Sequence, residues 1–413
     1  MATVKTATRT RWLDPVWSIS LAQLLGTSLW FSANSAADDL MRVWQIDQSG
    51  IGWLTSAVQA GFILGTLFIS LTGLADRYRA SSIFVSCAVF GALFNAAFAW
   101  LSGSLATAAV FRFGVGLSLA GVYPMGMKLV VSWAPQRTGT ALALLVGMLT
   151  LGTALPHALK GLGAGLPWQQ TIVASSVLAL VGAIIIFRLG DGPHLRRISS
   201  SSAAKGATAA KPHRRTPHVL HAFRSELFRA TALGYWGHMW ELYTFWTLVP
   251  LLVVQTLQGL GPAFQTGSLP AFCIIAAGAL GCVLGGRLSR RFGSNRVAAV
   301  ALALSAGCCV VFASGYDSLP AWALFGLLLL WGAAVVADSP QFSALAAAYC
   351  PRDAVGSALA IMNSLGYAIT IMSIALTSWL IQQYGLDALW VLVPGPVLGL
   401  LGFARVWARN CAA

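Results

Sequence analysis

The sequence predicts an all-α polytopic membrane protein, and three observations carry that prediction: scarce charge, long apolar runs, and the recurrence of those runs in two matching sets. Of the 413 residues, 57% are hydrophobic and only 9% are charged, whereas an ordinary soluble domain carries about 25% charged residues. The apolar runs are near the twenty residues that a helix needs to cross about 30 Å of hydrocarbon. A membrane β-barrel is excluded, because its strands are short and alternating and these runs are continuous. They cover 16–37, 50–71, 81–101, 105–127, 139–160 and 168–188, then 230–254, 268–286, 297–314, 320–345, 355–380 and 388–405. The expected architecture is twelve transmembrane helices in two six-helix bundles, residues 1–190 and 225–413, joined by a basic linker over 191–224.

Charge placement orients the chain. The net charge of +14 would suit a nucleic-acid partner if it formed one patch. Instead Lys5, Arg9, Arg11, Arg77, Arg79, Arg137, a dense group from Arg188 to Arg229, Arg287, Arg290, Arg291, Arg296, Arg352, Arg405 and Arg409 fall between alternate runs. The remaining connections hold Asp38, Asp39, Asp47, Asp317 and Asp387 with little beyond Arg42 and Lys160. That asymmetry follows the positive-inside rule. It puts both termini and the linker in the cytoplasm of a bacterial inner membrane, with lipid rather than nucleic acid as the partner. The linker, with Pro193, Pro212 and Pro217, has too little apolar character for a core of its own. A short surface helix is expected near HVLHAFRSELF, and attraction to anionic lipid accounts for the charge. The polar start MATVKTATRTRW lacks the pattern of a cleaved signal, so the first run is expected to be retained. Seven cysteines show neither disulfide nor metal spacing.

Within the runs, polar residues mark points of interest. Thr27, Ser28, Ser32 and Asn34 make part of the first run polar, and Gln59 interrupts the second. Arg112 lies seven residues into the fourth run, where a cation must face the interior, a cavity or a counter-charge. It is an anion-binding group, a part of proton coupling, or a side chain snorkelling to the headgroups. Lys128 either snorkels to the inner surface or lines an inner vestibule. Asp338 precedes Pro340 in the tenth run, and the missing proline N–H predicts a kink or local unwinding there.

The halves repeat. YPMGMKLVVSWAPQRTGTALAL (123–144) matches SPQFSALAAAYCPRDAVGSALAI (339–361), with Pro124 to Pro135 and Pro340 to Pro351 both eleven apart. GLADRYR (73–79) answers GGRLSRRFG (285–293). Duplicated halves suit a transporter, because a central site can be exposed to either side by rocking one half against the other. Gly73, Asp76 and Arg77 in the first copy, and Gly286, Arg290 and Arg291 in the second, are then candidates for a conformational latch. Arg290 stands where the first copy has Asp76, so any latch is asymmetric.

Twelve runs as six plus six, the GLADRYR loop with its second copy, and RFGVGLSLAG in the fourth run resemble the major facilitator superfamily over essentially the whole chain. The first-loop motif departs from the family pattern: Gly73 is one residue closer to Asp76 than usual, and Arg79 replaces a glycine. The resemblance implies that Asp76 is the latch carboxylate, and that Arg112 is the arginine opening an RxxxGxG pattern with Gly116. The family's antiporter signature has a glycine–proline pair in helix five. Here GMLTLGTALPHAL puts Thr153 after Gly152 and the proline only at Pro156, which speaks against proton-driven export. GVYP at 121–124 and PW at 167–168 resemble the cyanate- and nitrate-type anion carriers.

The seventh run contains GHMWELYTFW (237–246). His238, Glu241 and Phe245 have i, i+3, i+7 spacing and share a helix face. Laying WELYT (240–244) on WFSAN (30–34) pairs Trp30 with Trp240 and Asn34 with Thr244. In the resembled family helices one and seven line the central cavity, which makes Trp30, Asn34, Trp240 and Phe245, with Arg112, the substrate-binding candidates. Burial disfavours the charged form of an unpaired carboxyl, and imidazole titrates near neutrality, so Glu241, His238 and Asp338 are candidates for proton coupling. Two other uses of Glu241 remain open: binding a cation within a cage of Trp236, Trp240, Tyr243 and Trp246, or a structural pair between helices.

No metalloprotease, nucleophile-elbow or Walker motif occurs, so neither an enzyme nor an ATP-driven pump is expected. No cofactor or metal is expected either. The expected activity is rocker-switch, proton-coupled uptake of a small anionic solute by a monomer. The alternatives are proton-driven efflux of a hydrophobic or cationic compound, and a lipid flippase or non-transporting sensor on the same scaffold.

Overall fold

The protein is described by a computed structural model covering residues 14–163, 165–194, 219–350 and 355–409. Every regular element there is helical. In chain order they are α1 (Pro15–Thr27), α2 (Ser32–Ser35), α3 (Ala37–Trp44), α4 (Gln48–Thr72), α5 (Leu74–Arg77), α6 (Ala80–Leu101), α7 (Leu105–Trp133), α8 (Thr138–Leu162) and α9 (Trp168–Leu189). After the linker come α10 (Glu226–Thr256), α11 (Pro262–Gln265), α12 (Ser268–Phe292), α13 (Ser294–Gly315), α14 (Ala321–Ala337), α15 (Ser339–Tyr349), α16 (Val355–Tyr384) and α17 (Pro394–Arg409).

Among the described residues, nine helical stretches are long and apolar enough to cross a membrane. One of the nine, Ala358–Trp407, covers most of both α16 and α17. α1 falls outside that number because it breaks after thirteen residues. α10 is long enough, but His238, Glu241 and its Trp and Tyr residues lower its hydropathy.

The first predicted run, 16–37, is therefore not one continuous helix. Residues 28–31 form turns between α1 and α2. Local side chains compete for the backbone here: Thr27 Oγ1 donates to Gln23 O at 2.8 Å, Ser28 Oγ to Leu25 O at 2.7 Å and Ser32 Oγ to Leu29 O at 3.1 Å. The tenth run divides at Asp338, as Pro340 predicts, into α14 and α15.

Glycines set the closest crossings. A Cβ on Gly61 would stand 2.1 Å from Phe113 O, and one on Gly116 would stand 2.0 Å from Val58 O, so α4 and α7 touch backbone to backbone. α12 and α14 repeat that arrangement: a Cβ on Gly281 would meet Ala333 O at 2.0 Å, and one on Gly332 would meet Ile274 O at 2.0 Å. Small residues allow such approach where lipid supplies no hydrophobic drive for helix association. α1 packs on α7, α8 and α9, and α10 packs on α16 and α17, while α8–α12 and α4–α16 join the two parts of the chain.

Candidate functional site

Between α4, α7 and α8 on one side and α10, α15 and α16 on the other lies a cavity of about 50 Å³. Tyr123, Tyr235, Tyr243, Trp246, Tyr367 and Phe62 supply its aromatic lining, and Thr150, Ser339, Ser343 and Asn363 its smaller polar groups. The Tyr243 and Tyr367 hydroxyls are hydrogen-bonded at 2.9 Å. Trp30 closes over these rings, with centroids 5.0 Å from Phe62, 5.6 Å from Tyr243 and 5.9 Å from Tyr367. Phe31 follows, edge-on to Trp246 at 5.9 Å. The break after α1 is what lets two successive bulky rings turn toward α10 and α16.

α10 presents three faces to three neighbourhoods. Tyr235, Met239, Leu242, Tyr243 and Trp246 face the cavity. A second face carries His238, Glu241 and Phe245, at the spacing expected from the sequence. Here Glu241 Oε1 accepts a 2.7 Å bond from Trp331 Nε1 on α14, and Phe245 packs on the same indole with centroids 4.3 Å apart. His238 Nδ1 stands 2.8 Å from Asp338 Oδ1 at the α14–α15 break. All three ionisable residues are buried, with Ser305 beside the Glu241 carboxyl and the Ser339 backbone beside Asp338. Glu241 is within electrostatic reach of both His238 and Asp338. The cluster can hold and pass a proton, and Asp338 is next in sequence to the cavity-lining Ser339.

The third face of α10 turns two indoles of the alternative cation cage away from Glu241. Trp236 Nε1 donates to Met362 O at 3.0 Å and Trp240 Nε1 to Val391 O at 2.9 Å. Both indoles tie α10 to its neighbours and turn away from Glu241. Trp240 and Phe245 therefore do not line the cavity, and the Trp30–Trp240 pairing does not describe equivalent positions in space.

Arg112 is fully buried, which removes the snorkelling alternative. Its Nη1 donates to Leu29 O, Ser32 Oγ and Asn95 Oδ1, each at 3.1 Å, and its Nη2 donates to Trp30 O. Asn95 in turn receives Ser32 Oγ at 2.7 Å and donates to Ile172 O at 2.9 Å. The guanidinium thus holds the carbonyls released by the helix break, and it is not among the groups lining the cavity. Asn34 is likewise committed, donating to Thr55 Oγ1 at 2.9 Å. Lys128 Nζ donates to Ala75 O, in the short α5 helix.

Of the latch candidates, Gly73 ends α4 with φ +65° and Arg77 is exposed. The Asp76 side chain lies outside the described residues. Nearby, Arg79 Nε pairs with Asp191 Oδ2 at 3.3 Å, and Ser81 N donates to Asp191 Oδ1 at 2.9 Å. In the second copy, Arg290 Nη1 reaches across to Thr140 Oγ1 on α8 at 3.1 Å, and Gly286 faces Ala143. Arg291 lies over the Phe292 ring, 5.3 Å from its centroid.

Sequence reasoning missed Trp331, Tyr367 and Asn95. Trp331 had one signal, its position seven residues before Asp338 on the same helix side. Tyr367 and Asn95 had none beyond a polar atom in an apolar run.

Apolar helices around an aromatic cavity, backed by a buried acid–imidazole cluster, define a polytopic membrane transport protein. Comparison with known proteins gives the family. Residues 19–373 match the Major Facilitator Superfamily, and the chain belongs to it; this is a family of transporters, not enzymes, and the chain is a multi-pass membrane protein. The 3-(3-hydroxy-phenyl)propionate transporter of Escherichia coli is 29% identical over 253 residues, 60% of this chain and 58% of that protein. The chain thus spans less than two-thirds of that relative's length. A 4-hydroxybenzoate transporter of Pseudomonas aeruginosa is 24% identical over 80% of this chain and 77% of its own. In fold, the chain resembles the Escherichia coli xylose transporter in a partially occluded inward-open conformation, with TM-score 0.69, 14% identity, and coverage of 95% of this chain and 99% of that one. It also resembles the human organic anion transporter MFSD10, with TM-score 0.65, 20% identity, and coverage of 94% and 98%.

Proposed function

We propose that this protein is a secondary active transporter that takes up a small aromatic carboxylic acid together with protons. Two six-helix halves, residues 1–190 and 225–413, rock about the central cavity, with the 191–224 linker and both termini in the cytoplasm. The aromatic cavity between α4–α7–α8 and α10–α15–α16, with an acid–imidazole cluster one residue behind its wall, is the observation that carries the proposal. Stacked rings recognise a flat aromatic solute, which enters only as the halves part, because the closed cavity of about 50 Å³ is smaller than the roughly 150 Å³ that holds benzene; the relatives' names give two phenolic acids as solutes of those proteins. His238 and Asp338 relay the transported proton, and Glu241, anchored by Trp331, links its protonation to the helix arrangement. Arg112 acts as the clasp of the helix-one break, and Trp30 as the ring that this break swings over the solute. Arg290 and Thr140, with Gly286, form the contact that differs between conformations.

The test is Glu241→Gln in proteoliposomes with 4-hydroxybenzoate as solute. The amide keeps an acceptor for Trp331 but cannot titrate. Accumulation driven by a proton gradient is lost, while solute exchange at equal pH persists. Wild-type accumulation by Glu241→Gln would remove Glu241 from coupling.

A further inference from the structure

The cavity is aromatic and polar, yet among the described residues that line it there is no Lys, Arg, His, Asp or Glu. The neighbouring cations, buried Arg112 and half-buried Lys128, are already engaged. Arg112 gives its Nη donors to Leu29, Trp30, Ser32 and Asn95, and the backbone of Trp30 takes one of them while its ring faces Phe62, Tyr243 and Tyr367. Lys128 donates to Ala75 O. A carboxylate entering this space would lose water and gain no counter-charge.

What the cavity does offer is neutral hydrogen bonding in both senses. In the Tyr243–Tyr367 pair one hydroxyl donates to the other, leaving one O–H free to donate and lone pairs free to accept. The indole N–H of Trp246 is buried with no partner among the described residues, and its ring lines the cavity. A carboxylic acid, with one O–H donor and one C=O acceptor, matches this set, as does a primary amide. A carboxylate only accepts, and leaves the tyrosine lone pairs unused.

Resting on the aromatic-acid reading above, we propose that the cavity binds the solute in its protonated, uncharged form, so that the transported proton crosses on the solute's own carboxyl. The acid O–H donates to the Tyr243–Tyr367 pair, and the acid C=O accepts from Trp246 Nε1. The proton enters from water through the His238–Asp338 pair beside Ser339: RCOO⁻ takes H⁺ from the pair as the site closes, the pair regains H⁺ from water on the entry side, and the acid returns its H⁺ to water on release. The energetic requirement is modest. A carboxyl with an ordinary pKa of about 4.3 needs a displacement of about 3 units to be neutral at pH 7, and full burial supplies up to about 3–5 units.

The test is binding of 4-hydroxybenzoate and its uncharged isostere 4-hydroxybenzamide to the purified full chain, read by tryptophan fluorescence at pH 5.5 and pH 8. The titratable groups around the site are Tyr123, Tyr235, Tyr243 and Tyr367 in its wall, His238, Asp338 and Glu241 behind it, Cys282 on α12 and Lys128 on α7. If both ligands are bound uncharged, the titration of these groups changes both affinities alike, so the ratio of the two affinities isolates the solute's own proton. The amide is expected to bind with less than about a twofold change, whereas the acid weakens by about 300-fold, tenfold for each pH unit above its own titration. Tyr367→Phe, which keeps the ring, is expected to weaken both ligands about tenfold. Acid affinity that is flat with pH, together with an amide that does not bind, would overturn the proposal while leaving the aromatic-acid reading intact. Binding of neither ligand at either pH would overturn both.

Discussion

Replacing Arg112 by Lys separates a positioning role from a solute-binding one. The planar guanidinium serves four acceptors at once: Leu29 O, Trp30 O, Ser32 Oγ and Asn95 Oδ1. An ammonium on a shorter stem is a point donor with three N–H groups and no fork, and it cannot span two successive carbonyls and an amide together. At least one or two buried acceptors then lose their donor, at about 1–3 kcal/mol each. The expected loss is about 2–5 kcal/mol, a large share of the roughly 5–15 kcal/mol that holds a native protein together. In detergent, thermal unfolding followed by tryptophan fluorescence should shift down by about 2–6 °C. Solute affinity should fall with it, because Trp30 leaves its place over Tyr243 and Tyr367. An Arg112→Lys protein that melts within about 1 °C of wild type, yet binds 4-hydroxybenzoate more than tenfold more weakly, would refute the clasp and return Arg112 to the solute.

Two further outcomes follow from packing and charge. Gly116→Val puts a Cβ about where it meets Val58 O at 2.0 Å, so α4 and α7 must part; expression and melting temperature should both drop sharply, whereas Gly307→Ala, which meets nothing within 4 Å, should melt like wild type. Asp191 lies beyond the end of α9: burial alone pushes its carboxyl up, but the Ser81 backbone and hydroxyl and the Arg79 guanidinium outweigh that and hold it below the usual range. A depressed folded-state pKa contributes stability above the unfolded value of about 3.9 and loses it as pH falls through the folded value. The melting difference between wild type and Asp191→Asn should therefore be constant from pH 7 to pH 5 and close below about pH 4; a difference that closes between pH 7 and pH 5 would contradict that sign.

Helix positions were legible because apolar length and Pro and Gly punctuation are local properties of the chain. α4, α6, α8, α9 and α13 lie within a few residues of the predicted runs, and α12 starts with its run and extends six residues past it. The break in helix one was not legible, because the residue that stabilises it, Arg112, comes from a different helix about eighty positions away. On α10 the 3.6-residue period correctly grouped His238, Glu241 and Phe245, since that grouping depends on spacing alone. Which face meets the cavity depends on how α10 is rotated against α14 and α16, and periodicity carries no information on rotation. The residues that lock it, Trp236 to Met362 O and Trp240 to Val391 O, have partners more than a hundred residues away in sequence. The sequence thus led to the acid cluster but not to the aromatic chamber in front of it.

The central claim is that solute and proton move inward together. Proteoliposomes loaded with a pH-sensitive dye and given an inward gradient of 4-hydroxybenzoate test it most directly. Co-transport predicts acidification of the lumen that is absent from liposomes without protein and lost in Glu241→Gln. Alkalinisation of the lumen as solute enters would mean that protons leave in exchange, and would contradict the account.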